Sequence, residues 1–200
     1  MPQVEQMQVY MLCGQIANFK TNSKILTEKI PYALNSKLKK SIVIKEAEEV
    51  DERFHSRYNA KEKTYRYIIN NSRQGTSIYR DLEYHVPIKL NIQEMKKAIK
   101  HFEGEHDFTG FKASGTSSKS SIRTIYKAEI LEQNDIIKIE ITGNGFLYNM
   151  VRIIAGTLVD VGLGKIKEEE IPQIISSRDR TKAGKTLPAH GLYLVEVIYK

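Results

Sequence analysis

Alternating apolar and polar positions predict a strand near the middle of the chain. In residues 63–70, Tyr65, Tyr67 and Ile69 fall on one face, and Arg66 and Ile68 fall on the other. Successive side chains of a strand point to opposite sides of a sheet, so this pattern indicates one buried face and one more polar face.

Further strands are expected on both sides of this segment. Residues 122–131 and 136–142 are rich in β-branched residues and are separated by an Asn-Asp turn, which favours a hairpin. Residues 41–50 and 192–199 also have strand-like patterns.

Apolar residues spaced three and four positions apart predict four helices. Residues 91–102 begin with an asparagine suited to an N-cap, and residues 146–161 carry a long apolar stripe. Shorter helices are expected at 168–177 and at 23–38, where Pro31 breaks or kinks the pattern. Together these elements predict an α+β fold, with a mostly antiparallel sheet covered by helices on one face.

Composition limits the classes of function. The chain has 200 residues and a net charge of +7, which permits a polyanionic partner without requiring one. Its single cysteine, Cys13, excludes an intramolecular disulfide and a multi-cysteine zinc site, and no two of its five histidines have a His-x-x-x-His spacing. We therefore predict no metal site. No apolar run has the length of a membrane helix and the first residues lack a signal-peptide pattern, so we expect no membrane association and a cytoplasmic location.

One arginine stands inside an apolar helix pattern. Arg152 lies between Val151 and Ile153, and Tyr148 shares its helical face. A buried or cleft-lining arginine at this position needs a carboxylate or phosphate partner. The alternative is an exposed arginine beside the stripe.

A basic stretch interleaved with aromatic residues extends from residue 53 to residue 67. Positive charges suit phosphates and aromatic rings suit unstacked bases, so the stretch predicts RNA binding. The alternative is a solvated strand edge. The candidate RNA-binding residues are Arg53, His55, Arg57, Lys61, Lys63 and Arg66.

Five separated motifs resemble the tRNA pseudouridine synthase A family. They are Gly14-Gln15-Ile16-Ala17-Asn18-Phe19, Arg53-Phe54-His55-Ser56-Arg57-Tyr58 with Lys63-Thr64-Tyr65-Arg66-Tyr67, Asp107-Phe108-Thr109-Gly110-Phe111, Gly145-Phe146-Leu147-Tyr148-Asn149-Met150-Val151-Arg152, and Gly191-Leu192-Tyr193-Leu194. The resemblance extends from about Gly14 to the C-terminus. It implies the pseudouridine synthase fold, with two ferredoxin-like halves around a basic cleft.

The resemblance also implies a reaction, a partner and residue roles. Family members act as homodimers on the tRNA anticodon stem-loop, near positions 38–40, and convert uridine to pseudouridine without a metal or cofactor. The uridine must leave its stack to be reached. An aspartate drives cleavage of the C1′–N1 bond, and the base reattaches through C5. By motif position, Tyr65 would pack against the target base and Arg152 would pair with the catalytic carboxylate.

The resemblance fails at the catalytic loop. The family's loop reads roughly Gly-Arg-Thr-Asp-Ala-Gly-Val-His-Ala, but residues 4–12 read Val-Glu-Gln-Met-Gln-Val-Tyr-Met-Leu, and no aspartate precedes Asp51. None of the remaining aspartates stands in the expected loop, so we expect this chain to be inactive. The family's strands and helix upstream of the loop are also expected to be absent. Residues 1–50 would then be a remnant of the N-terminal ferredoxin-like half, aberrant over 1–13, and residues 51–200 the C-terminal α/β half.

A shift of reading frame explains the replacement. Codons chosen for the family loop, GGT AGA ACA GAT GCA GGT GTA CAT GCT, read one base later as GTA GAA CAG ATG CAG GTG TAC ATG CT, which encodes residues 4–12. We hypothesise a frameshifted gene, or a sequencing error, in a pseudouridine synthase. Three interpretations stay open: a synthase-family member that is inactive in this form, a tRNA-binding module without catalysis, and an unstable translation product.

Overall fold

The computed structural model describes residues 11–12, 14–115 and 120–199, and the chain divides into two compact units. The larger unit comprises residues 60–199 together with the described residues before Ile16, and the smaller unit comprises residues 16–59. The predicted division of the chain at residue 50 stays a prediction.

The described elements of the chain are seven strands and four α-helices. The strands are β1 (Met11–Leu12), β2 (Glu62–Asn70), β3 (Tyr84–His85), β4 (Gly104–Asp107), β5 (Ile122–Gln133), β6 (Ile136–Gly143) and β7 (Leu192–Ile198). The helices are α1 (Ile30–Asn35), α2 (Ile92–Ala98), α3 (Met150–Gly162) and α4 (Ile171–Ser177). Short 3-10 helices cover Thr27–Lys29, Ile99–Phe102, Thr109–Phe111, Glu168–Glu170 and Ala189–Gly191.

The sheet of the larger unit has the order β1-β7-β2-β6-β5-β4, with β3 beside β2. β2 is antiparallel to both β6 and β7, and β5 and β6 form the predicted hairpin. The two-residue strands β1 and β3 add parallel pairs. The prediction of an α+β fold with a mostly antiparallel sheet is therefore confirmed.

Strand alternation puts the core on one face of this sheet. Tyr67 and Ile69 of β2 and Ile139 of β6 are fully buried, in one apolar cluster with residues of α2 and α3. The intervening positions of the same strands face the other way, where Arg66 forms an ion pair with Glu140 at 2.7 Å. The strand prediction for residues 63–70 is confirmed, including the division between its faces.

The helix predictions hold in position but not in their boundaries. Residues 91–102 form α2 and a following 3-10 turn, and Asn91 is the N-cap, since its side-chain oxygen accepts the backbone N–H of Glu94 at 3.3 Å. The helix expected from residue 146 begins instead at Met150, because Asn149 adopts a left-handed conformation with a φ of 61°. A residue in this conformation interrupts the helical backbone. The apolar residues between residue 146 and Asn149 therefore indicate a buried segment and not a helical one.

The smaller unit departs most from its predicted elements. Pro31 lies in the first turn of α1, where its missing N–H costs no hydrogen bond, so it begins this helix rather than kinking a longer one. The strand prediction for residues 41–50 is wrong, since this described segment contains no strand. The side chain of Asn35 bonds both the N–H and the carbonyl of Ile44, at 2.8 and 2.9 Å, in place of a neighbouring strand.

Most of the segment assigned to the frameshift lies outside the described residues. Within it the structure describes the backbone of Met11 and Leu12, which pair in parallel with Tyr193 and Leu194 of β7.

Candidate functional site

Arg152 occupies the first turn of α3 and is buried, with 8% of its surface exposed. Its Nε donates a hydrogen bond to the backbone carbonyl of Leu187 at 2.6 Å, and one terminal nitrogen donates to the side-chain oxygen of Asn149 at 2.7 Å. The predicted burial of Arg152 is confirmed. Both of these acceptors are neutral, so they orient the guanidinium without neutralising its charge.

The chain segment that carries Leu187 lies against α3 because two glycines permit a close approach. A Cβ atom at Gly156 would overlap the carbonyl oxygen of Lys185, and one at Gly184 would lie 2.5 Å from the backbone nitrogen of Thr157. The N–H of Gly184 donates to the Thr157 hydroxyl at 2.9 Å. This packing brings the Leu187 carbonyl to the Arg152 side chain, a contact that periodicity along the chain could not reveal.

Two tyrosines of β2 lie on the core-facing side of the sheet. Tyr67 is fully buried and donates its hydroxyl to the carbonyl of Pro188 at 2.7 Å, one residue from the carbonyl that holds Arg152. Burial raises the pKa of the Tyr67 hydroxyl, and the positive charge of Arg152 opposes that rise. Tyr65 is half-buried, and its ring meets that of Phe146 edge to face with centroids 5.1 Å apart.

These groups form what we call the Arg152 site. It consists of Arg152, Tyr65, Tyr67, Phe146 and the carbonyl groups of Leu187 and Pro188. The site combines an oriented buried cation with aromatic surface, which is the chemistry needed to hold an anionic group beside a planar base.

Three of the predicted RNA-binding residues lie on or just before β2, and they differ in their position relative to Tyr65 of the Arg152 site. Arg66 lies on the opposite face of the sheet from Tyr65 and pairs with Glu140. Lys63 has the same parity as Tyr65 and stands opposite Gly143 of β6. Lys61 precedes the strand, and its N–H donates to the carbonyl of Ile198 at 2.7 Å.

The remaining predicted RNA-binding residues belong to the smaller unit. Arg53, His55 and Arg57 lie in a turn in which the N–H of His55 donates to the side chain of Asn59 at 2.7 Å. The sequence-based prediction did not include Tyr58 among these residues, although it is 75% exposed and its ring contacts this group. Its ring centroid lies 4.3 Å from that of His55 and 5.7 Å from the Arg57 guanidinium carbon. An exposed ring beside cations is typical of surfaces that stack unpaired bases.

Asp107, the aspartate of the third motif, has a structural role. Its side chain accepts hydrogen bonds from the N–H and the hydroxyl of Thr109, at 3.0 and 2.7 Å, and lies 3.1 Å from Arg178 Nε. The hydrogen bond from the Thr109 hydroxyl is the main cause that lowers the pKa of this carboxyl. The side chain therefore closes a turn.

Neither a metal-binding cluster nor a membrane-spanning helix is found among the described residues. No group of three or more histidine, cysteine, aspartate or glutamate side chains among them is arranged to hold a metal ion. Likewise, none of the helices in the described ranges is both long and apolar enough to cross a membrane.

Comparison with known proteins identifies the family. A family model described as tRNA pseudouridine synthase matches residues 98–200. A protein named tRNA pseudouridine synthase A from Thermoanaerobacter sp. is 56% identical over 185 residues, which cover 92% of this chain and 76% of that protein. Proteins of the same name from Ruminiclostridium cellulolyticum and Bacillus subtilis are 55% and 46% identical, over 93% of this chain and 76% and 75% of theirs. The chain therefore belongs to the tRNA pseudouridine synthase family.

Proposed function

We propose that this chain binds the anticodon stem-loop of tRNA and that, as a 200-residue chain, it does not itself convert uridine to pseudouridine. The observation that carries the proposal is the buried guanidinium of Arg152, held in a fixed orientation by Leu187 and Asn149 in a member of this family. A guanidinium in such a position is suited to orient a carboxylate or a phosphate.

The chemistry of the Arg152 site supports a role in holding the target nucleotide. A uridine inside a stem cannot be reached by protein side chains, so it must leave its stack and enter a pocket. Tyr65 offers a half-buried aromatic surface for the base, and Arg152 offers donors for the carboxylate that drives cleavage of the C1′–N1 bond. By resemblance, the target lies near positions 38–40 of the tRNA.

Conversion needs a carboxylate that this sequence does not place in the catalytic loop. No aspartate occurs between Met1 and Val50, and Asp107 closes a turn with Thr109. The proposed consequence is a chain that binds RNA without catalysis.

We also propose that residues 3–12 are encoded out of frame. The relatives align with this chain over 185–187 residues, and the segment from Gly14 to Lys200 has 187 residues. The aligned region is therefore about as long as the part of the chain that follows the residues proposed to be out of frame. Determining the nucleotide sequence across the first 14 codons tests this proposal. It is supported if one base separates this reading from an intact Gly-Arg-Thr-Asp loop, and it is wrong if no shifted frame encodes that loop.

Family resemblance further supports a homodimer that acts in the cytoplasm. Light scattering during size-exclusion chromatography is expected to report about twice the chain mass of 23.0 kDa. A single-chain mass at all concentrations would contradict the dimer.

Binding is tested by fluorescence anisotropy with a labelled anticodon stem-loop. We expect affinity to fall more than about tenfold between 50 and 200 mM salt, because phosphate contacts release counterions. Arg57→Ala should weaken binding by about threefold to tenfold, since it removes a cation beside the exposed Tyr58 ring. Lys40→Ala, which removes the same charge from an exposed position of the same unit, is the control and should change binding less.

Catalysis is tested with tRNA tritiated at C5 of uridine. The base reattaches through C5, so conversion releases the label. We expect no release above background from the purified chain. Multiple turnover of tRNA uridines by this chain would contradict the proposed inactivity, even if binding behaves as expected.

A further inference from the structure

A concave surface lies in the larger unit, outside the residues of the Arg152 site. It is an open depression of about 480 Å³, and its lining includes Arg80, Glu83, Tyr84, His85 and His190. This volume falls in the range of about 300–1,000 Å³ that is common for small-ligand sites. We call it the Glu83 pocket, and sequence reasoning gave no role to these five residues.

A buried carboxylate forms part of its wall. Glu83 is 8% exposed, and Asn70 Nδ2 donates to its Oε1 at 2.6 Å. The orientation of the Asn70 amide is fixed, because its oxygen accepts from both the N–H and the hydroxyl of Ser72, at 2.9 and 2.6 Å. A carboxylate can accept about four hydrogen bonds, so Glu83 keeps acceptor capacity toward the cavity that it lines.

Positively charged and ring side chains line the same depression as this carboxylate. The Arg80 side chain is 74% exposed and reaches Asp81 at 3.4 Å. His85 Nε2 lies 2.8 Å from the carbonyl of Ser72, so this nitrogen carries the hydrogen and donates it to that carbonyl. The ring of Tyr84 is covered by Lys185, whose Nζ lies 5.5 Å from the ring centroid and donates to the Tyr84 hydroxyl at 2.9 Å.

One chain segment joins the Glu83 pocket to the Arg152 site. The carbonyl of Pro188 accepts the Tyr67 hydroxyl at 2.7 Å, and His190, two residues later, lines the Glu83 pocket.

We propose that the Glu83 pocket binds an unpaired nucleotide of the RNA whose base carries an exocyclic amino group, as cytosine, adenine and guanine do. The amino group donates to the Glu83 carboxylate, as carboxylates accept from cytosine N4 in other nucleic-acid complexes. Arg80 is suited to contact the phosphates, and Tyr84 offers a ring beside the base. Uracil presents a carbonyl where cytosine has its amino group, so it is disfavoured by the carboxylate. This inference rests on the proposed binding of tRNA.

The experiment compares labelled single-stranded hexamers of cytidine and of uridine, with the anticodon stem-loop measured in parallel on the full chain. We expect the cytidine hexamer to bind about tenfold more tightly than the uridine hexamer, and Glu83→Gln to remove most of this preference. Arg80→Ala should weaken both hexamers by about threefold to tenfold, because it removes a phosphate contact. Thermal unfolding of each variant shows whether its fold is retained.

Lys89→Ala is the matched control for Arg80→Ala. The Lys89 and Arg80 side chains are both 74% exposed and each has one acidic neighbour, Asp135 for Lys89 and Asp81 for Arg80. Lys89 is not among the residues that line the pocket, so its loss should change hexamer binding by less than about twofold.

The outcomes separate this proposal from the proposed function. Equal binding of the two hexamers, or an unchanged preference in folded Glu83→Gln, would show that the Glu83 pocket does not bind such a nucleotide, even if the stem-loop binds. A cytidine preference that Glu83→Gln removes supports the pocket, and if the stem-loop then fails to bind, it is the proposed tRNA function that is wrong. Tight binding of free cytidine monophosphate in competition with the hexamer would assign the pocket to a free nucleotide and overturn its assignment to an RNA strand.

Discussion

The two units of this chain contain apolar residues in similar patterns, but only the larger unit buries them. Ile139 and Phe102 in the larger unit are fully buried, whereas Val43 and Leu26 in the smaller unit are 68% and 62% exposed. Within residues 16–59, all of which the structure describes, Pro31 is the only buried residue. The comparison shows that an apolar pattern becomes structure only where a neighbouring element offers a surface to cover it.

The two units also differ in the kind of candidate RNA-binding surface that each carries. The Arg152 site is built on α3, β2 and the closely packed segment around Leu187. The turn with Arg57 and Tyr58 is exposed, and its hydrogen bonds are local except for one from the Ser56 N–H to the Asn18 side chain at 2.9 Å. Segments with few buried contacts open at lower free energy than core strands, so we expect the first surface to be ordered before RNA binds and the second to be ordered by RNA.

The largest effect is expected from truncating one apolar side chain in each unit. Ile139→Ala is expected to lower the free energy of unfolding by about 2–5 kcal/mol, because it leaves a cavity in the apolar cluster that Ile139 shares with α2 and α3. Val43→Ala should change it by less than about 0.5 kcal/mol, since this side chain is already in solvent. Urea unfolding followed by circular dichroism measures both. Equal losses would show that the smaller unit has a core of its own.

A smaller effect is expected from removing one hydroxyl in each unit. Tyr67→Phe leaves the Pro188 carbonyl without the hydrogen bond that it accepts at 2.7 Å, and should cost about 1 kcal/mol. Tyr58→Phe is the matched control, because its ring is 75% exposed and water can replace its hydroxyl contacts. Thermal unfolding should lower the Tm of the first variant and leave that of the second unchanged. An unchanged Tm for Tyr67→Phe would show that the Pro188 contact does not stabilise the larger unit.

The smallest effect concerns the pH dependence of a turn in the larger unit. Hydrogen bonds from Thr109 lower the pKa of Asp107 below its ordinary value of 3.8. The ionised carboxylate therefore stabilises the fold at pH values above 3.8, and this stabilisation is lost as the pH falls through the lower pKa of the folded state. The stability difference between the wild type and Asp107→Asn should thus be constant near neutral pH and shrink below about pH 4.

Thr109→Val provides the control for this pH effect. It removes the hydroxyl that donates to Asp107 at 2.7 Å, so the loss of stabilisation should shift to higher pH. A stability difference for Asp107→Asn that does not vary between pH 2 and pH 7 would contradict the assigned cause.

The sequence by itself determined the features that depend on local chemistry. Alternation identified β2 and the division between Tyr65 and Arg66, and the Asn91 cap followed from its side chain and position. The burial of Arg152 followed from its apolar neighbours, and the separated motifs identified the family. Each of these depends on residues that are close along the chain, or on side-chain types that fix a chemistry.

Only the tertiary structure decided how distant residues meet. It paired Arg66 with Glu140, placed the Leu187 carbonyl on Arg152, and brought Glu83 and His190 to one pocket. It also left residues 41–50 without a partner strand, so this segment is not a strand despite its apolar pattern. Hydrogen bonds and buried contacts between distant segments depend on packing, and no pattern within a single segment contains that information.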